Sequence, residues 1–348
     1  MAKEVKKSSG GEHTHRAPRN FVLLAAGAQL ISVWALVSIL GANPAARAAS
    51  APAAPNAPVE KADKPATPCR APLPLTTKHQ TMQAQLESRL LAAGLMPWLQ
   101  RDKLSIAVAD LSYGEPIFYA AINDDQMMYA ASLPKIAILL ANAHAANTGV
   151  ERWTAEHDRR LKAMITESSN EDASWGVDQV GLGGIEAAVR NPSLCFYDDV
   201  HGGLWVGRAY RRDSDTHVDP VAEVIHGATA RQAVRFYVML NSGKLISPEW
   251  SAHMLDLMSP PKHHHKFVAG LADRQGVRFL ARKSGTWSDF HSDSALIEHA
   301  EFRYAIASLS ESRRGEELMQ KIVQVVDDLI LDGRYRRIRP VGAQANRE

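Results

Sequence analysis

The stretch YAASLPKIAILLA, residues 129–141, places a serine just ahead of a long apolar run, with a lysine three residues later. The run is too long and alanine-rich for a strand, so it predicts a buried helix that opens near Ser132, with Pro134 in the first turn, where proline is tolerated. Ser132 could simply cap that helix, because serine is a favoured N-cap. Residues three apart also share a helix face. Lys135 could therefore reach the Ser132 hydroxyl, a poor nucleophile until a neighbouring base takes its proton.

Working outward, residues 76–95 read as an amphipathic helix. KLSIAVADLS (103–112) and PIFYAAIND (116–124) read as two strands joined at YGEP. Helical patterns fill residues 155–190, and TARQAVRFYVMLNSG (229–243) ends on a glycine suited to a helix stop. Three strand patterns follow, GVRFLARKSGTW (276–287), HSDSALIEH (291–299) and FRYAIASLSE (302–311), then a closing helix, GEELMQKIVQVVDDLIL (315–331). This order predicts an α+β fold: an antiparallel sheet formed from both chain ends, an all-helical insertion, and a cleft between them that holds Ser132.

Two further short motifs stand in order after SLPK (132–135). MITESSNEDAS (164–174) offers Ser168 and Asn170 at a break between helices, and RKSGTW (282–287) offers Lys283, Ser284, Gly285 and Thr286 on a strand. Each motif alone arises readily by chance, so their order and context carry the weight. Over residues 80–330 the sequence resembles the penicillin-recognising serine hydrolases, especially class A β-lactamases and D,D-peptidases, whose series is S-x-x-K, S-D-N, K-T-G. The resemblance implies Ser132 as nucleophile, Lys135 as its base, and Ser168 with Lys283 relaying a proton to the leaving nitrogen. It also implies that Asn170 orients the substrate amide and that Lys283, Ser284 and Thr286 bind a substrate carboxylate. The oxyanion hole would be the N–H groups of Ser132 and Thr286, and Gly285 would let substrate lie against the strand edge. Lys135 must then be neutral, which burial and a nearby positive charge would favour.

One departure stands out. No E-x-x-L-N stretch, the family's source of a deacylating glutamate, occurs between the second and third motifs. Asp198, Asp199, Asp213, Asp215, Asp219 and Glu223 are the carboxylates available there. The expectation is an acyl-enzyme on a β-lactam, with slow deacylation, or on a peptidoglycan-like peptide, as in a D,D-carboxypeptidase. Another amidase or esterase, or a non-hydrolytic cell-wall or antibiotic sensor, stays open.

The rest of the 348 residues bounds this expectation. A net charge of +2 with scattered Lys and Arg argues against nucleic acid as a partner, and the basic tail GRYRRIRP (333–340) reads as solvated. Residues 1–20 are basic and polar. FVLLAAGAQLISVWALVSILG (21–41) is long enough to cross a bilayer, as an uncleaved anchor or a signal peptide ending near Ala46–Ala49. An Ala/Pro-rich tether (42–75), the hydrolase domain (76–332) and a tail (333–348) would follow, outside the cytoplasm. Cys69 and Cys195 could pair in that compartment. The run His263–His265 reads as a loop, and no metal or cofactor is implied. His226 and His291 read as structural hydrogen-bonders, and Asp289 and Asp293 as rim residues of the cleft.

Overall fold

The computed structural model describes residues 75, 78–101 and 103–337. The basic segment, the apolar segment 21–41, nearly all of the tether with Cys69, and the tail beyond 337 lie outside the described residues. Among the described residues no helix is long and apolar enough to cross a membrane. Cys195 is buried and is not a free thiol.

The main elements in chain order are helix α1 (Gln80–Ala92), strands β1 (Leu104–Asp110) and β2 (Phe118–Ile122), and helices α2 (Lys135–Asn147), α3 (Ala155–Thr166), α4 (Asn170–Val189), α5 (Ala230–Asn241) and α6 (Pro248–Leu257). Strands β3 (Val277–Trp287), β4 (Phe290–His299) and β5 (Phe302–Glu311) and helix α7 (Gly315–Asp332) complete the fold. The five strands form one antiparallel sheet in the order β2-β1-β5-β4-β3, so the first strands of the domain pair with its last. The expected α+β architecture is thereby realised.

Strand alternation sorts the two cores. Ile106, Val108, Ile297, Tyr304 and Ile306 face α1 and α7, where Met82, Leu86, Leu90, Met319, Ile322 and Val326 meet them. Ala107, Ala109, Ala305, Ala307 and Leu309 face the helical block. The small side chains on that face let α5 and the Ser132 segment approach the sheet closely. Helix α2 is buried from Lys135 to Ala143, which explains a run with no polar stripe.

Several details depart from the sequence reading. Helix α4 absorbs two predicted helices across a kink at Gly181, whose φ of 69° only glycine adopts at little cost. Helix α6 was not expected; Ser247 caps it by accepting from the Trp250 N–H, with Pro248 in its first turn. The start of the basic tail is part of the fold. Tyr335 is fully buried, and its hydroxyl and the Arg336 Nε both donate to Asp110, at 2.7 and 2.6 Å.

Helix α4 crosses α2 at Gly176, where an added Cβ would stand 2.8 Å from Ile138 Cγ2. We expect Gly176→Val to cost about 1–3 kcal/mol by overpacking, read as a lower urea midpoint in equilibrium unfolding.

Candidate active site

Ser132 lies in the turn between the short strand Met128–Tyr129 and α2, and it is half-buried. The helix begins at Lys135 with Pro134 as N-cap and no side-chain capping bond, so the Ser132 hydroxyl is not a cap. Three elements clamp the backbone just before it. The Ala130 N–H donates to His226 O at 2.7 Å, Ser292 Oγ donates to Ala130 O at 2.8 Å, and Tyr210 OH donates to Ala131 O at 3.1 Å. Ala131 has φ 52°, a left-handed conformation that costs an alanine about 1 kcal/mol or more and persists where surrounding bonds over-determine it. The Ser132 N–H has no acceptor among the described residues.

Lys135 is wholly buried. Its Nζ donates to Ser168 O and Asn170 Oδ1, both at 2.7 Å, with Ser169 O at 3.3 Å and Ser168 Oγ at 3.5 Å. The Tyr210 ring covers the amine, its centroid 4.5 Å away. Burial is the main cause that lowers the Lys135 pKa to about 7, partly offset by Asp172. Lys283 reaches the same serine from β3, donating to Ser168 Oγ at 2.9 Å and to Ser284 O at 2.7 Å. Burial, and then the charge of Lys135, push its pKa well down. Ser168 thus bridges both lysines. It occupies a left-handed turn, φ 57°, between α3 and α4, and Asn170 begins α4 with its Nδ2 hydrogens unengaged by any described residue.

The third motif sits on β3 beside the Ser132 turn. A Cβ on Gly285 would lie 2.3 Å from Ala130 O and 2.7 Å from the Ser132 N. The glycine therefore admits the Ser132 turn itself, a tighter demand than the expected room for substrate. Ser284 Oγ is 3.2 Å from His265 Nε2, and exposed Thr286 accepts from Lys266 Nζ at 2.8 Å. The loop 262–266 spans the second and third motifs: His263 Nε2 lies 2.9 Å from Glu167 O, and the Arg282 guanidinium donates to His263 O and His265 O. The histidine run is a loop, as expected, yet it borders the site. Among the described residues no cluster of three metal-binding side chains forms.

Residues 211–330 match the β-lactamase enzyme family, a span that includes the third motif but neither Ser132 nor Ser168. Solved structures with the same fold include the β-lactamase from Sphaerobacter thermophilus (18% identity, 70% of this chain and 95% of that one, TM-score 0.55). PBP-A (17%, 75% and 99%, TM-score 0.54) and the class A β-lactamase from Mycobacterium abscessus (17%, 71% and 98%, TM-score 0.51) are also similar. The fold is that of the penicillin-recognising serine hydrolases. No curated protein sequence matches the chain.

In this β-lactamase-like site, Ser132, Asn170 and Thr286 line a cavity of about 870 Å³ with Tyr129, Arg208, Tyr210, Glu223, His226, Trp287 and Phe290 among its walls. Sequence reasoning missed the walls from Arg208 to His226, because residues 205–226 carry no periodic pattern, and it passed over Tyr129 and Trp287 inside the motifs it quoted. Of the six loop carboxylates, only Glu223 reaches the cavity, and it is exposed. Asp219 is buried against Tyr197 and the Val221 and Ala222 N–H groups, Asp199 pairs with Arg190, and Asp198 closes a turn. His226 corrects its expected role: no described residue hydrogen-bonds its ring, which stacks on Tyr210 at 4.2 Å and 5°. Burial, then Arg208 and Lys135, lower its pKa to about 4, so it is neutral at pH 7. The His291 Nδ1 is likewise buried without a partner. Asp293 is not a rim residue; it forms a fully buried ion pair with Arg282, 2.8 Å, behind β3, and Asp289 pairs with Arg313 at a hairpin end.

Because Gly285 touches the Ser132 turn, Gly285→Val should displace Ser132 and lower any acylation there by at least about 10²-fold, since misplacement by about 1 Å costs that much. A labelled active-serine probe read against circular dichroism would show loss of labelling without loss of fold.

Proposed function

We propose that this chain is a serine hydrolase that forms an acyl-enzyme at Ser132 with β-lactams. The observation that carries this is the Lys135–Ser168–Lys283 cluster beside the Ser132 turn, in which two buried amines share one hydroxyl. A neutral Lys135 amine has two hydrogens, matched by its two 2.7 Å acceptors; Ser132 is not among its hydrogen-bond partners here, so the Ser132 hydroxyl must turn toward the free lone pair to give up its proton. The proton then passes through Ser168, which Lys283 supports, to the leaving nitrogen. The carbonyl oxygen of the attacked amide is stabilised by the N–H groups of Ser132 and Thr286. Asn170 Nδ2 donates to the substrate's side-chain amide. Lys283, Ser284 and Thr286 take a substrate carboxylate, which would favour the charged form of Lys283.

Deacylation is the weak step. The face of Lys135 that could neighbour an activating carboxylate is covered by the Tyr210 ring, itself backed by His226. Such a wall offers water only a weak base, since the His226 pKa is lowered to about 4, and the cavity's one carboxylate, Glu223, is exposed. This supports a long-lived acyl-enzyme, as in a D,D-carboxypeptidase or penicillin-binding peptidase, over rapid β-lactam turnover. A mutant of PBP-A, 18% identical over 75% of this chain (TM-score 0.53), is known as an acyl-enzyme complex with penicillin G. We further propose that the chain acts outside the cytoplasm, tethered to the membrane through residues 21–41, where peptidoglycan-like peptides and β-lactams are met.

Intact-protein mass spectrometry of the full chain with benzylpenicillin tests this. We expect an adduct that outlasts the free drug by many turnovers' worth of time and is absent in Ser132→Ala. An adduct that vanishes as penicilloate accumulates would replace the slow-deacylation reading with an efficient β-lactamase, and no adduct would overturn the acyl-enzyme reading.

The pH dependence follows from Lys135. Its proton must be off for general-base action, and its pKa is lowered to about 7. The second-order acylation rate should therefore rise about tenfold between pH 6 and 8 and then level off, as measured by quenched time courses.

A further inference from the structure

We infer that the cleft selects acyl groups that carry a carboxylate, and that Arg208 is the residue that reads it. This rests on the acyl-enzyme reading above and names the substrate class of the same site.

Three arginines, Arg208, Arg211 and Arg212, line the cavity that holds Ser132, against a single carboxylate, Glu223. Arg211 is committed elsewhere, both of its terminal nitrogens bonded to Asp178 at 2.6 and 2.8 Å. Arg208 is different. No described carboxylate lies within ion-pair distance of it, and its Nη2 donates only to two backbone carbonyls, Arg211 O at 2.8 Å and Arg212 O at 3.2 Å. Those two bonds fix the plane of the guanidinium. They leave Nε and Nη1 without a partner among the described residues, and neither nitrogen is sealed from solvent. A half-buried guanidinium with a fixed fork and spare donors is suited to bidentate recognition of a carboxylate.

Its surroundings fit the rest of such a ligand. Tyr129, three residues before Ser132, and Trp287 and Phe290 from the β3–β4 hairpin supply apolar walls to the same cavity. Trp287 is 66% exposed, an unusual state for a tryptophan that has nothing to cover. The carboxylate that Lys283 and Ser284 would hold belongs to the leaving-group side. Of the residues that would hold it only Thr286 lines the Arg208 cavity, and no hydrogen bond joins Arg208 to Lys283, Ser284 or Thr286, so Arg208 is a further cationic point in that cavity. The positive walls would also steer anionic substrates into the cleft.

Benzylpenicillin and carbenicillin differ by one carboxylate on the side-chain carbon next to the amide. Second-order acylation rates for both are to be measured on the full chain and on Arg208→Gln and Arg208→Lys by quenched intact-mass time courses. The ratio of carbenicillin to benzylpenicillin rates should fall about tenfold or more in Arg208→Gln, the usual weight of one charge-assisted hydrogen bond, and only in part in Arg208→Lys. Taking the ratio within each variant cancels any loss of folded protein. An unchanged ratio in Arg208→Gln overturns the inference while leaving the acyl-enzyme reading intact. Absence of any adduct with either penicillin on the unaltered chain overturns that reading, and this inference with it.

Discussion

The buried amine of Lys135 is the constraint on which the rest of the site depends. A lysine with no exposed surface cannot keep its charge unless acceptors surround it, and here they come from Ser168 and Asn170, at the junction of α3 and α4. Helix α2 must therefore pack against that junction, and the close contact at Gly176 lets it. The same burial that strains the lysine electrostatically lowers its pKa into the range where a base is useful. Stability and chemistry pull on one group in opposite directions.

A second constraint brings the sheet to the helices. Gly285, Ser292 and the His226 carbonyl grip the backbone from Ala130 to Ser132, so that β3, β4 and the short strand His226–Ala228 converge on one turn. Behind β3 the Arg282–Asp293 pair is fully buried, and the same guanidinium holds the 262–266 loop by its carbonyls. Pairing inside a protein repays desolvation only when the remaining donors are also engaged, and here every Arg282 nitrogen has an acceptor. The third motif is thus fixed from both its faces.

The wall beside Lys135 comes from the segment between α4 and α5. An aromatic stack of Tyr210 on His226 stands next to Lys135, and an arginine fork opens beside it. Aromatic faces attract an amine without accepting its proton. The wall therefore shields the lysine from solvent.

Much of the fold was legible in the sequence. The alternation in residues 104–110 and 291–311, the glycine stops and the unbroken apolar run after Ser132 specify strands and a buried helix through backbone geometry that is local. Ser132, Lys135, Ser168, Asn170 and the residues 283–286 could be picked out because each sits at a recognisable start or break of such an element. What local pattern does not encode is what meets across the chain: Gly285 against Ala130, Lys283 against Ser168, Tyr210 over Lys135. The histidine run read only as a loop and Asp293 as rim, since burial depends on how strands and loops from 11 to 96 residues apart come together. The sequence alone determined which groups with chemistry the chain carries and on which elements. Only the tertiary structure decided their protonation and company, because a pKa and a hydrogen bond are properties of the space around a side chain.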